Sequence, residues 1–349
     1  MGFRIQKSIR LGKFLRLNIS KSGFGVSAGL GPIRIGAGPA GTYVSADLPG
    51  PFSYRKRLNS RGPLDYLDSK GKSKPKAKTQ TKAAPPPPEE TPSPGFFAPR
   101  HEKELAKGLQ AYESAKPDEA LEHFLAAAPE EPGAAILAAS ILAERDNKDF
   151  RASELLEQVI QSEEEFPTPL MEKYLAGLEV EINLTPNVSV LVPINGLAAT
   201  LLLVELYQAQ RRVREAIALL EEVADLSSEP VLVLSLCELY ASREVWQGVI
   251  ERASQIDPVD DVTLEIAIYY GRALQQRDLH EAAISVFSKA LRKKAGRNPK
   301  LLREAAYGRI LSYQAQGKQK LALRELQFLY AEDPNFRDVA QRLEDLSVR

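Results

Sequence analysis

The chain has few of the residues that build disulfide frameworks and metal sites. Its 349 residues include one cysteine, Cys237, and three histidines, none of which has a second histidine three or four positions away. One cysteine cannot form an internal disulfide, and isolated histidines do not have the spacing of a zinc site. We therefore expect no metal, no cofactor and a reducing compartment such as the cytoplasm.

Common catalytic motifs are also missing. The sequence has no G-x-S-x-G elbow and no P-loop string. Gly36–Gly41 satisfies G-x-G-x-x-G, but the strand-like TYVSADLPG follows it, where a dinucleotide site requires a helix N-terminus. Turns between strands explain these glycines better. Carboxylate pairs such as Glu221–Glu222 fall on predicted helix surfaces, so we expect no enzymatic activity and assign no catalytic residue.

Long apolar runs are nearly absent as well. The stretch from Ile182 to Val204 has no charged residue, but it contains Pro186, Pro193 and three asparagines. These residues are unfavourable in a helix that faces lipid, so we expect no transmembrane segment. The N-terminus carries basic residues and no unbroken apolar stretch, unlike a secretory signal.

Acidic residues are scarce at the N-terminus. Residues 1–61 contain eleven Lys or Arg and one acidic residue, Asp47. The excess of basic residues reaches 13 over residues 1–100, and residues 101–349 carry an equal excess of acidic residues. A formal net charge of zero therefore conceals two modules of opposite charge, which suggests different partners.

Short apolar alternations with glycine-containing breaks fill residues 1–58 and predict a small β-meander. Arg16 and Arg34 alternate with apolar neighbours, so one face of the sheet should be basic and the other apolar. The candidate anion-binding residues are Arg4, Lys7, Arg10, Lys13, Arg16, Arg34, Arg55, Lys56 and Arg57. They could contact nucleic acid, anionic lipid or the acidic half of the chain, or they could serve solubility alone.

Three motifs in this segment are Met1–Arg4, Asn18–Gly23, and Leu48–Gly50 followed by Ser53–Arg55. In this order they resemble the bacterial family called domain of unknown function 4236. Pro51–Phe52 departs from the Thr-Gly pair usual in that family. The resemblance implies a small β domain and brings no activity.

Residues 59–100 are rich in lysine and proline and poor in large apolar residues. Such a segment cannot bury enough surface to offset its conformational entropy, so we predict a disordered linker. The run Pro85–Pro88 should form a stiff polyproline II helix. We expect it to act as a spacer; the alternative is that it docks in an aromatic groove of a partner protein.

Residues 101–349 repeat a small residue followed four positions later by an apolar one. The pairs are Ala120/Phe124, Ala152/Leu156, Ala216/Leu220, Val249/Ala253, Ala283/Phe287 and Ala322/Leu326. Most spacings are 32 to 34 residues, and the one of 64 leaves a repeat slot empty. With Gly108 and Gly271 at matching positions, this period resembles the tetratricopeptide repeat, which implies an α-solenoid of paired helices. Residues 335–349 should form a capping helix.

The empty slot contains a strand pattern. Residues 180–194 alternate around Thr185-Pro186-Asn187, which predicts a β-hairpin in place of the second helix of the third repeat. The hairpin could plug the seam between the flanking repeats, or its uncharged edge could accept a strand from a partner.

We therefore predict a multidomain protein with a β-meander and a tetratricopeptide-like solenoid that acts as a scaffold or adaptor for proteins or peptides. The N-terminal domain would tether the array or make it self-associate; the alternative is an adaptor for nucleic acid or anionic membrane. By the repeat register, the candidate peptide groove contains Glu265, Tyr269, Arg272, Gln276, Tyr307 and Gln314.

Overall fold

The computed structural model describes residues 92–146, 149–162, 166–227 and 229–347, together with the backbone of six strands between residues 8 and 59. The described residues between 92 and 347 are mostly helical. They are α1 (Arg100–Glu113), α2 (Pro117–Ala127), α3 (Pro132–Arg145), α4 (Phe150–Gln161), α5 (Pro169–Tyr174), α6 (Gly196–Ala209), α7 (Val213–Leu226), α8 (Pro230–Ser242), α9 (Trp246–Ala253), α10 (Asp261–Gln276), α11 (His280–Ala290), α12 (Pro299–Ala315), α13 (Gln319–Glu332) and α14 (Val339–Ser347).

Six helix pairs form the array: α1/α2, α3/α4, α6/α7, α8/α9, α10/α11 and α12/α13. Each second helix packs against its own partner and, up to α11, against the first helix of the next pair; α13 packs against α14. This arrangement is a tetratricopeptide-like solenoid, as the repeat period predicts. The buried side chains of the stack form a core that is continuous from Leu105 to Ala305, and a second cluster follows at the C-terminal end.

Local sequence sets the helix boundaries. Proline occupies the first turn of five helices, where its missing N–H costs no hydrogen bond; these are α2, α3, α5, α8 and α12. Asp260 caps α10 by accepting a hydrogen bond from the N–H of Thr263 at 2.9 Å. Between the two helices of five pairs, the second residue after the first helix has a left-handed backbone, as at Ala115 and Asp278. This turn reverses the chain and returns the second helix onto the first.

Some glycines in the helices leave room for an aromatic ring of a neighbouring helix. A Cβ atom on Gly271 of α10 or on Gly308 of α12 would overlap the ring of Phe287 from α11. Gly108 makes the same kind of approach to Phe124. These contacts explain the periodic glycine and aromatic residues in the sequence as packing at helix crossings.

The predicted β-hairpin is confirmed, with strands β7 (Leu178–Asn183) and β8 (Ser189–Pro193) in antiparallel register. Its place in the array differs from the prediction. Helix α4 packs directly against α6, so the stack continues without a third repeat between them. The short helix α5 and the hairpin are an insertion beside the stack, and the expected replacement of one helix by a hairpin is wrong. The spacing of 64 residues between Ala152 and Ala216 could not separate these two cases.

Six further strands come from the N-terminal part of the chain: β1 (Ser8–Arg10), β2 (Leu15–Ser20), β3 (Gly23–Ala28), β4 (Ile33–Gly38), β5 (Gly41–Asp47) and β6 (Phe52–Asn59). Their backbones pair antiparallel in chain order, and β6 continues the sheet onto β7. That residues 1–58 fold as a domain of their own stays a prediction, as does the linker, most of which lies outside the described residues.

Candidate functional site

The first helices of successive pairs form one surface of the array, which we call the first-helix face. Contacts between α3 and α6, α8 and α10, and α10 and α12 hold these helices side by side. All six residues of the predicted groove belong to α10 or α12, and therefore to helices of this face. Much of the face is covered by the chain itself.

The hairpin covers its central part. Both strands contact α6, and Leu178, Val180 and Ile182 of β7 are buried while Glu179 and Glu181 between them are partly exposed. This alternation follows the period of two that sequence analysis detected. One side of the hairpin therefore belongs to the core of the array.

The turn of the hairpin reaches α10. The Thr185 hydroxyl donates a hydrogen bond to Glu265 Oε2 at 2.6 Å, and Asn187 Nδ2 donates one to Glu265 Oε1 at 2.7 Å. Glu265 is 3% exposed. Both oxygens of its carboxylate are thus occupied by the chain's own turn, so this predicted groove residue holds the insertion in place.

Two half-buried carboxylates lie close to these groups, Glu205 beside the hairpin and Glu238 beside Glu265. Burial raises the pKa of Glu205 on α6, against the effect of hydrogen bonds from Asn183 at the end of β7. Burial, and then the charge of Glu265, raises the pKa of Glu238 on α8 to about 7. Glu238 Oε2 has no hydrogen-bond partner among the described residues. Burial and these two acidic neighbours, Glu238 and Glu265, also raise the pKa of Tyr269.

The other end of the insertion is bound to the first two pairs. Glu102 of α1 accepts hydrogen bonds from Lys173 Nζ and from the Tyr174 hydroxyl, both at 2.7 Å, and these bonds lower its pKa. Glu131, which precedes α3, accepts a hydrogen bond from the Thr168 hydroxyl at 3.1 Å. The insertion therefore connects α1 and α3 with α10.

Beyond the hairpin, two arginines share one carboxylate. Arg272 Nη2 lies 2.6 Å and Arg337 Nη2 lies 2.7 Å from Glu304 Oε2, and Arg337 Nε donates to the other oxygen at 3.2 Å. The side chain of Glu304 is 10% exposed, whereas those of Arg272 and Arg337 are 36% and 44% exposed. A guanidinium has five N–H donors, so both arginines have donors left for an acidic ligand. We call Arg272, Glu304 and Arg337 the arginine pair site.

The C-terminal segment covers the last two predicted groove residues. The Tyr307 hydroxyl donates to Asp338 at 2.5 Å, and Arg342 Nη1 of α14 donates to Gln314 at 2.9 Å. Val339 is buried against the last helix pair, and the capping role of residues 335–349 stays a prediction. Of the predicted groove, Tyr269, Arg272 and Gln276 remain beside open surface, and Gln276 is exposed.

Sequence reasoning missed Glu304 and Arg337. A usable signal for Glu304 existed, because it lies 32 residues after Arg272, which is about one repeat. Arg337 belongs to the segment after the last repeat, where the period gives no information.

The structure does not test the anion-binding candidates. Arg4, Lys7 and Lys13 lie outside the described residues, and for Arg10, Arg16, Arg34, Arg55, Lys56 and Arg57 the backbone alone is described. Their role stays a prediction.

Within the described ranges, no group of three His, Cys, Asp or Glu residues could hold a metal ion. Cys237 is buried, and burial raises the pKa of its thiol to about 12. None of the helices described here combines the length and the apolarity needed to cross a bilayer; the uncharged stretch around Ile182 is instead the hairpin and α6.

Two family models match the chain. Residues 3–55 match the protein of unknown function DUF4236, which confirms the resemblance of the N-terminal motifs. Residues 190–349 match the N-terminal domain of the T7SS, ESX-1 secretion system protein EccA1. The chain thus combines a DUF4236 segment with a tetratricopeptide-like array. No curated protein matches it.

Solved structures with similar helical arrays have low sequence identity to this chain. The N-terminal domain of the EccA1 ATPase from Mycobacterium tuberculosis is 20% identical, with a TM-score of 0.49 over 71% of this chain and 90% of its own. A kinesin light chain-like protein with TPR-like repeats from Podosopora anserina is 20% identical, with a TM-score of 0.41 over 58% of this chain and 96% of its own. The TPR2AB domain of yeast Sti1 in its pHSP90 complex is 13% identical, with a TM-score of 0.26 over 70% of this chain and 96% of its own.

Proposed function

We propose that the chain is a scaffold whose helical array binds an acidic segment of a partner protein at the arginine pair site. The observation that carries this proposal is the sharing of one carboxylate by two half-exposed guanidiniums. The site keeps a net positive charge of about one, because a single carboxylate is paired with two arginines. An acidic side chain of a partner would supply the missing negative charge.

The neighbourhood of the site suits a peptide rather than a small metabolite. Tyr269 lies beside Arg272, with 5.9 Å from the guanidinium carbon to the ring centroid, and Gln276 is exposed one turn further along α10. Arg337 packs over the covered ring of Tyr307, with 5.0 Å from the guanidinium carbon to the ring centroid, and this contact holds the guanidinium in place. Aromatic and arginine side chains on a rigid surface are typical anchors of protein interfaces.

The test uses the full chain and a fluorescein-labelled peptide of alternating glutamate and tyrosine, followed by fluorescence anisotropy. We expect binding that weakens as salt is raised, and a loss of about tenfold or more in affinity for Arg272→Ala, since a charge-assisted hydrogen bond contributes roughly 1.5–3 kcal/mol. The variant should stay folded because Glu304 retains its two bonds from Arg337.

Arg292→Ala is the matched control, because Arg292 is an exposed arginine that follows α11, outside the arginine pair site. It should bind the peptide as the unchanged chain does, and a peptide with lysine in place of glutamate should not bind. Equal affinities for Arg272→Ala and Arg292→Ala would exclude the site.

The role of the N-terminal segment in this proposal is tethering or self-association, and the alternative is binding to nucleic acid or an anionic membrane. Gel shift with duplex DNA and flotation with phosphatidylserine vesicles at rising salt separate these possibilities. Binding to DNA alone would favour the nucleic-acid adaptor, and binding to neither would leave self-association, which a mass measurement in solution tests.

A further inference from the structure

The inner strand of the insertion, β7, is paired on both edges. On one edge it pairs with β8, its hairpin partner. On the other edge it pairs with β6, where Phe52 is opposite Val180, Ser53 is opposite Glu179 and Tyr54 is opposite Leu178. Without β6, this edge of β7 would present unpaired N–H and C=O groups, which is a template for pairing with another chain.

Apolar and polar residues alternate along both β6 and β7, and in the observed register apolar residues lie opposite apolar ones. The positions opposite Phe52 and Tyr54 are Val180 and Leu178, which are 0% and 7% exposed. The polar residue between them, Ser53, is opposite the partly exposed Glu179. A slip of one residue would place both aromatic positions of β6 opposite glutamates or turn residues, so the sequence itself specifies this register.

The charges of the two strands also favour the pairing of β6 with β7. Strand β7 carries Glu179 and Glu181, whereas β6 continues through Arg55, Lys56 and Arg57. In the observed register Arg55 takes a diagonal position to Glu179, a spacing at which long side chains of opposite charge attract each other.

The chain also has the length to make this contact with itself. Residues 60–99 connect β6 with α1. An extended chain advances ~3.3 Å per residue, so this connection can span on the order of 100 Å.

We propose that the insertion hairpin is the docking site of the chain's own N-terminal segment, which adds β6 to the edge of β7 within the same molecule. The docked segment extends the sheet from the array. This inference concerns the contact between the two modules and is independent of the acidic partner proposed above.

Disulfide trapping in the full chain tests the proposal. Directly opposite residues of antiparallel strands have Cα atoms roughly 4.5–5.5 Å apart, which is within the range of a disulfide. We expect Ser53→Cys with Glu179→Cys to form an intramolecular disulfide in most of the molecules within minutes of adding diamide, which accepts the two electrons and two protons of the thiols. Intact mass and peptide mapping identify the bond. The native thiol of Cys237 is buried and does not compete.

The matched control combines Ser53→Cys with Leu191→Cys. Leu191 is opposite Glu181 on β8, one strand further from β6 and two residues along the strand, so its Cα atom lies ~12 Å from the Ser53 position, beyond the reach of a disulfide. It should oxidise at least about tenfold more slowly. Equal rates for the two pairs, no disulfide in either pair, or disulfide-linked dimers in place of the intramolecular bond would each overturn the proposal.

Hydrogen exchange of the unsubstituted full chain provides a second measurement that does not depend on the folding of a variant. Docking requires the amides of β7 whose N–H groups point to β6 to exchange ~10-fold or more slowly than unprotected amides. Exchange of these amides at the unprotected rate would contradict docking. Neither experiment uses the acidic peptide, so failure here leaves the arginine pair site untouched.

Discussion

At the scale of single residues, two neighbouring carboxylates distinguish the first-helix face: Glu265, buried under the hairpin turn, and the half-buried Glu238. Glu265 receives two hydrogen bonds from the turn, but Glu238 next to it has an oxygen without a partner among the described residues. A carboxyl group removed from water favours its protonated form when no hydrogen bond or positive charge stabilises the ionised form. Glu238 therefore makes the stability of the array depend on pH.

Glu238→Gln should remove much of this dependence. The pKa of Glu238 is raised from an ordinary 4.5 to about 7 by burial and by Glu265, with Tyr269 also facing it from α10. The contribution of Glu238 to the free energy of unfolding is fully present below pH 4.5. It is lost as pH rises through about 7, because the folded protein must then ionise this poorly solvated carboxyl group. We expect the variant to be more stable at pH 8 by on the order of 2 kcal/mol, and no more stable at pH 4.5.

Urea unfolding followed by circular dichroism between pH 4.5 and 8 measures the effect. Glu222→Gln on the exposed surface of α7 is the control and should follow the unchanged chain. A parallel pH profile for Glu238→Gln and the unchanged chain would show that Glu238 ionises freely in the folded state.

At the scale of elements, the helix pairs depend on close approach at glycine. The ring of Phe287 from α11 lies between Gly271 of α10 and Gly308 of α12, so one aromatic residue joins two successive pairs. Sequence reasoning identified Gly271 and Phe287 through the repeat period. It did not identify Gly308, because that glycine belongs to the next repeat and faces backwards along the stack.

Gly271→Ala should destabilise the array. Alanine favours a helix over glycine by up to about 1 kcal/mol, but the added methyl group would overlap the Phe287 ring and displace it. Overpacking of a core commonly costs about 1–3 kcal/mol, so we expect a net loss of roughly 1–2 kcal/mol in the free energy of unfolding. Gly95→Ala is the control, since nothing lies within 4 Å of the added atom there. Equal unfolding midpoints in urea for the two variants would contradict this packing argument.

At the scale of the whole molecule, the insertion joins parts of the solenoid that do not touch in the stack. In a simple solenoid each repeat contacts its neighbours alone, and distant repeats can unfold separately. Here α5 is bonded to Glu102 of α1, while the hairpin turn is bonded to Glu265 of α10. The insertion should therefore make the unfolding of the array more cooperative.

Glu265→Ala should uncouple these parts. The substitution leaves Thr185 and Asn187 without their acceptor and should cost roughly 2–4 kcal/mol locally. Trp246, the one tryptophan of the chain, begins α9 and reports on the central pairs. In the unchanged chain its fluorescence and the far-ultraviolet circular dichroism should show coincident unfolding transitions in urea, and in the variant the two should separate.

The exposed Glu251→Ala on α9 is the control and should keep the two transitions together. Coincident transitions in Glu265→Ala would mean that the stack is cooperative without the insertion.

The sequence by itself determined which segments form helices and which form the hairpin, because apolar residues recur there at short, regular spacings. The spacing of Ala283 and Phe287 and its repeats predicted paired helices, and the alternation around Pro186 predicted the hairpin, because both patterns record which side of an element is buried. The opposite charges of the two halves were likewise readable from composition.

The tertiary structure alone decided where these elements lie. The hairpin is beside the stack, its turn is bonded to Glu265, and the C-terminal segment covers Tyr307 and Gln314, so half of the predicted groove belongs to intramolecular contacts. Burial patterns are local along the chain and show which side of an element is covered, but not by which partner. Contacts such as the one between Arg272 and Glu304 join residues from different repeats, so they appeared only once the helices were packed.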